Sequence, residues 1–143
     1  MDSPDREQIL QTVTPLCQDV PTDILQDFII RMDQEYFRRI APDRIAQHIH
    51  LAARLTPDRL CELSVTELPN ERFELTIVAY DYFALFATIC GFLSVFGLNI
   101  EEGQIYTFSE PASAARPAPG GVRSKQKIRQ GLSRKKIVDI FRV

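Results

Sequence analysis

Apolar positions change their spacing once along this chain, near Leu63. Before that point they recur at helical intervals. Ile9, Leu10, Val13 and Leu16 make one stripe, and Pro15 is placed to kink or end the helix that carries it. Ser3, Pro4 and Asp5 read as N-cap, first helical position and first-turn acid of that helix. A second helix is predicted from Pro21-Thr22-Asp23, with Ile24, Leu25, Phe28, Met32 and Tyr36 on its apolar face. A third opens at Pro42, carries Ile45, Ile49 and Ala52, and is closed by Thr56-Pro57.

From Leu63 the period becomes two. Leu63, Val65 and Leu68, then Phe73, Leu75, Ile77 and Ala79, predict two half-buried strands joined by a Pro69-Asn70-Glu71 turn. A helix follows over 83–96, with Leu85, Ile89, Cys90 and Leu93 facing inward. Gly97-Leu98-Asn99 stops it, and a strand runs over 99–108. The last strand, 136–143, alternates Ile137, Asp139 and Phe141 with Val138, Ile140 and Arg142. The expected fold class is α+β: a helical segment over 1–62, then a β-α-β-β unit over 63–143 with a flexible basic insertion at 110–136. Pro, Ala, Gly, Ser and basic side chains fill that insertion, too little apolar surface to order it, so residues 112–134 are expected to be mobile.

Charge changes the picture in one respect. The net charge of -2 conceals a partition, because residues 111–143 hold nine Lys and Arg against the single acid Asp139. The basic stretch 116–136 within it includes no aromatic residue for base stacking, so a nucleic-acid partner is the weakest of the functional alternatives. No charge falls between Asp81 and Glu101, close to the length of a membrane span. Acidic flanks without Lys or Arg anchors, and a helix stop inside the run, argue instead for a buried helix entering a strand. The N-terminal MDSPDREQ is polar and acidic and lacks the basic-then-apolar order of a signal peptide, so a cytoplasmic location is expected.

Candidate chemistry is sparse. The three cysteines, Cys17, Cys61 and Cys90, form no C-x-x-C pair, and His48 and His50 lie about 200° apart around a helix, unable to share one metal. No catalytic motif is present, and neither catalytic residues, metal nor cofactor are assigned. The turn from the strand ending at Tyr80 into the next helix is the informative place, because free N–H groups at a helix start can hold a carboxylate. Asp81 there either caps the helix or accepts the amino group of a ligand.

The stretch YDYFALFATICGFLSVFGLNIEEGQIYT resembles the strand-turn-helix-strand of an ACT domain, at Asp81, Leu85, Phe86 and Ile89, then Gly97, Leu98, Asn99 and Ile100. KKIVDIFRV is similar to the third ACT strand. DFIIRMDQEYFRRIAPDRIAQHIHLAARL resembles the helical segment before the paired ACT domains of bifunctional PII uridylyltransferase/uridylyl-removing enzymes, with Tyr36, Pro42, Ile45, Ala46 and His48 in matching places. The likeness spans roughly 25–109 and 136–143. It implies a ferredoxin-like sheet with its helix on one face, and a ligand site at Asp81, Tyr82, Phe83, Ala84, Leu85, Asn99 and Ile100. It further implies an amino-acid effector such as glutamine, and pairing as a homodimer or with another ACT domain. Phe83-Ala84 stands where the family has Pro-Gly, so the Cβ of Ala84 is expected to narrow that site and weaken binding. The expected function is a regulatory, amino-acid-sensing module. The alternative is a ligand-free dimerisation module. Phe83, Phe86, Phe92 and Phe96 cannot all face one sheet, so the helical segment or a second copy is expected to cover them.

Overall fold

The structure, a computed structural model, describes residues 5–81, 85–109 and 135–143. Helix α1, Arg6–Val13, is capped by Asp5, whose carboxylate accepts the Glu7 N–H at 3.0 Å. Ser3 and Pro4 lie outside the described residues. Pro15 ends the α-helix as expected, and Thr14–Cys17 continue as a 3-10 turn. The helix expected to run through Tyr36 is two: α2, Thr22–Arg31, and α3, Gln34–Arg39. Asp33 makes the break, since its carboxylate takes the Glu35 N–H at 3.0 Å and so caps a new helix. Helix α4 is Pro42–Ala53.

Strands β1, Cys61–Leu68, and β2, Arg72–Tyr80, form a hairpin whose turn holds Asn70 at φ 64° and Glu71 at φ 57°. Helix α5, Leu85–Val95, ends in a Schellman motif: Leu98 N–H donates to Leu93 O at 2.9 Å, Gly97 N–H to Ser94 O at 3.0 Å. Gly97, at φ 75°, supplies the left-handed residue this closure requires. Strands β3, Glu102–Thr107, and β4, Lys136–Arg142, complete an antiparallel sheet of order β1-β2-β4-β3.

The sheet separates two cores. On one face Val78, Tyr80, Tyr106, Phe108, Val138 and Ile140 join Phe28, Met32, Tyr36, Ile45 and Ile49 of the helices. Edge-to-face ring contacts cross this boundary, Phe28 to Phe108 at 5.4 Å and Tyr36 to Tyr106 at 5.2 Å between centroids. Each is worth about 0.5–1.5 kcal/mol beyond the area it buries. On the other face Leu75, Ile77, Ala79, Ile137 and Phe141 meet Leu85, with Ile89 and Leu93 packed alongside. The helical segment and the sheet thus share a core.

Three expectations are corrected by this layering. Strand β2 is buried on both faces over Glu74–Tyr80, because it is central and roofed on each side. Leu63 and Val65, expected to be half-buried, are each 56% exposed. They pair with Ile77 and Leu75 and so point to the α5 face, but edge strand β1 lies beyond the cover of α5. The third is the cover that the helical segment was expected to give the phenylalanines. The helices pack on the opposite face of the sheet, leaving Phe86 45%, Phe92 61% and Phe96 73% exposed. Phe83 lies outside the described residues, as do 112–134 of the expected mobile loop. Among the described residues no helix is long and apolar enough to cross a membrane.

Candidate functional site

Strand β2 delivers Asp81 to the sheet end beside β4, where its N–H donates to Lys135 O at 2.8 Å and its side chain is exposed. Leu85, the first residue of α5, is buried in the core beneath that helix. Tyr82, Phe83 and Ala84, and with them the narrowing expected at Ala84, lie outside the described residues. Asn99 and Ile100 are exposed between α5 and β3, at the other end of the helix. An eleven-residue helix is about 16 Å long at 1.5 Å per residue, so one chain does not bring Asn99 and Ile100 to Asp81.

Beneath α5 lies an acid that the sequence reading passed over. Asp139 is on the α5 face of β4, with register partners Ile77 on β2 and Ile105 on β3, and it is fully buried. Among the described residues neither carboxylate oxygen has a hydrogen-bond partner. Burial, with the charge of Asp81 adding to it, pushes its pKa up to about 7. The signal was present in the alternation: an acid between Ile137 and Phe141 occupies a core position.

The two histidines separate as their spacing requires. His48 is buried and bonded through Nδ1 to the Tyr36 hydroxyl at 2.6 Å. Burial, then the nearby Arg44 charge, brings its pKa down to about 4, so the ring is neutral at pH 7. The Tyr36 pKa lies well above the usual phenol value, chiefly through burial, so its O–H donates and Nδ1 accepts. His50 sits nearer the surface, with Nε2 2.8 Å from Asp19 and Nδ1 2.7 Å from Ala46 O. Those two acceptors, Asp19 first, raise its pKa. Among the described residues no group of three or more His, Cys, Asp or Glu is placed to hold a metal ion. Cys17, Cys61 and Cys90 are free thiols.

The outer side of α5 is the other notable feature. Phe92 and Phe96 stack on each other at 6.5 Å with Val95 beside them, while Phe86 stacks on Phe141 at 5.9 Å. At about 200 Å2 per ring, the three exposed phenylalanines present on the order of 350 Å2 of apolar surface. Leu63 and Val65 add to it on the same side of the sheet.

No protein-family model matches this chain, and no curated protein or solved structure does.

Proposed function

We propose that this chain is a regulatory module of the ACT type, which pairs with a second copy and responds to an amino acid such as glutamine. The observation that carries the reading is the strand order. In β2-α5-β3-β4 the fourth strand lies between the first two, the split β-α-β arrangement of ferredoxin-like sheets that the sequence resemblance implies. Strand β1 takes the outer place beside β2 that a further strand of such a sheet would hold.

Pairing is supported by the uncovered side of α5. Its apolar surface, extended by Leu63 and Val65, goes well toward the roughly 800 Å2 per partner of a standard interface. A second copy is the occupant that fits best. Residues 82–100 carry no charge, so two such surfaces meet without like-charge repulsion, and an isologous contact needs only self-complementarity. The mechanism is a population shift, in which an effector that binds the paired form more tightly moves the equilibrium toward it. Calorimetric titration of the full chain with a panel of amino acids tests the sensing half: saturable heat from glutamine or another member is expected. Absence of binding by every member refutes sensing and leaves the second reading, a ligand-free dimerisation module, which the exposed phenylalanines favour.

A further inference from the structure

Between α4 and the sheet lies a cleft of about 430 Å3, which shares Arg44, Glu74 and Arg142 as lining with a smaller one of about 100 Å3. A space of this size suits a metabolite-sized ligand. Its floor is two rows of the sheet that break the apolar pattern of the face. One row reads Thr66, Glu74, Arg142, Glu102 across the four strands, and the next reads Ser64, Thr76, Ile140, Gln104. Farther along the same strands that face is apolar, with Val78, Val138 and Tyr106 in one row. Its roof is Arg44, Gln47, His48 and Leu51, spaced to share one side of α4.

Hydrogen bonding in the cleft is unbalanced in one direction. Glu74, its side chain only 8% exposed, contacts Arg44 and lies 3.6 Å from Arg142 Nε, whose Nη1 also reaches Glu102 at 3.3 Å. The larger cleft is lined by two guanidiniums and one carboxylate, with Glu102 on the far side of Arg142 lining only the smaller, and His48 adds no charge. The remaining N–H groups of Arg44 make no hydrogen bond among the described residues, nor do the hydroxyls of Ser64, Thr66 and Thr76. His48 Nδ1 accepts from the Tyr36 hydroxyl, which leaves Nε2–H as a donor on the cleft wall. Glu102 balances the second guanidinium from the smaller cleft, but inside the larger one the open N–H groups of Arg44 and His48 Nε2–H have no acceptor opposite them among the described residues. Such a site is completed by a small anion with oxygen acceptors, and Arg forks match a carboxylate in two directions.

We infer that this cleft holds the carboxylate of a small amino acid or related acid, with Arg44 and Arg142 as its anchors and Gln47, Thr66 and Thr76 contacting its polar remainder. Because α4 forms the roof and three strands the floor, the ligand ties the helical segment to the sheet within one chain. The inference rests on the amino-acid-sensing reading and gives it a place other than the turn at Asp81.

The test is calorimetry on the full-length chain with L-glutamine, acetate, inorganic phosphate and glycinamide, which has no carboxylate. Glutamine is expected to bind and glycinamide to give no heat. Arg142→Gln and Arg44→Gln should each weaken glutamine binding by about tenfold or more, the loss of one charge-assisted contact. Since Arg44 also holds Glu74, Gln47→Trp serves as the second variant: it fills the cleft from an exposed position and leaves the ion pairs in place. It should abolish binding while the far-ultraviolet circular dichroism is unchanged. Glutamine binding that survives Gln47→Trp and Arg142→Gln but is lost in Asp81→Asn overturns this site and leaves amino-acid sensing intact. Binding of phosphate with no carboxylate bound overturns the ligand class, and binding of nothing overturns the sensing reading itself.

Discussion

Replacing Asp139 by Asn isolates the cost of a carboxylate enclosed in an apolar core. The rise of its pKa from the ordinary 3.8 to about 7 corresponds to at most about 4 kcal/mol, at roughly 1.36 kcal/mol per pKa unit. The sign follows from proton counting. Between pH 4 and pH 7 the folded chain keeps the Asp139 proton and the unfolded chain has lost it, so stability falls as pH rises through that window and levels off above it. His48 acts oppositely: its folded pKa of about 4 lies below the ordinary 6.5, so its contribution grows as pH rises from about 4 to 6.5. That contribution is common to both proteins and cancels in their difference. Urea unfolding of wild type and Asp139→Asn at pH 4 and pH 8 is the assay. At pH 4 the variant should equal wild type or be weaker by about 1–3 kcal/mol, because its amide is buried without partners. At pH 8 the difference should move in favour of the variant by a few kcal/mol. A difference unchanged between the two pH values would show that Asp139 is not held in a desolvated, unpartnered state, and the reasoning would fail.

Three further outcomes are expected. Glu71 sits at φ 57° in the β1-β2 turn, so Glu71→Gly should stabilise the chain by about 0.5–1 kcal/mol in thermal or urea unfolding. Tyr36→Phe removes the hydroxyl bonded to His48 and strands a buried ring nitrogen, so it should cost about 1–3 kcal/mol by denaturant titration. The double substitution of Phe92 and Phe96 by Ser should change monomer stability by about 0.5 kcal/mol or less per site, since both rings are largely exposed. The same variant should lose self-association by light scattering.

Where one physical signal governed a segment, the sequence was readable. Pro15, Pro42 and Gly97 punctuate helices because their backbones leave little choice, and they stand at or beside helix ends in the fold. The break at Asp33 is hidden in the pattern, because the apolar stripe runs on through Met32 to Tyr36 while a local carboxylate-to-backbone bond interrupts the helix without disturbing the stripe. Strand burial was harder, because alternation tells which residues share a face and not whether that face is covered. Leu63 and Leu75 carry the same signal, yet only Leu75 lies under α5, and that depends on strand order. The turn candidates Asp81 and Asn99 are close enough in sequence to suggest one site, but α5 holds them at its two ends. The cleft residues gave no contiguous motif. Glu74 and Arg142 meet only through sheet register and Arg44 only through the packing of α4 on the sheet, although polar Ser64, Thr66, Glu74 and Thr76 on alternate positions of two strands were a visible sign of a second polar face.

The central claim, that ligand binding and pairing of this chain are coupled, is tested most directly by sedimentation velocity across a range of protein concentration, with and without saturating glutamine. Linkage requires that whatever factor the ligand adds to pairing, pairing adds to ligand affinity. The account predicts a concentration-dependent monomer–dimer equilibrium whose midpoint moves to lower protein concentration when glutamine, or the amino acid that gives calorimetric heat, is present. An association curve that stays in place under ligand saturation, or a chain that remains monomeric at every concentration, would contradict it.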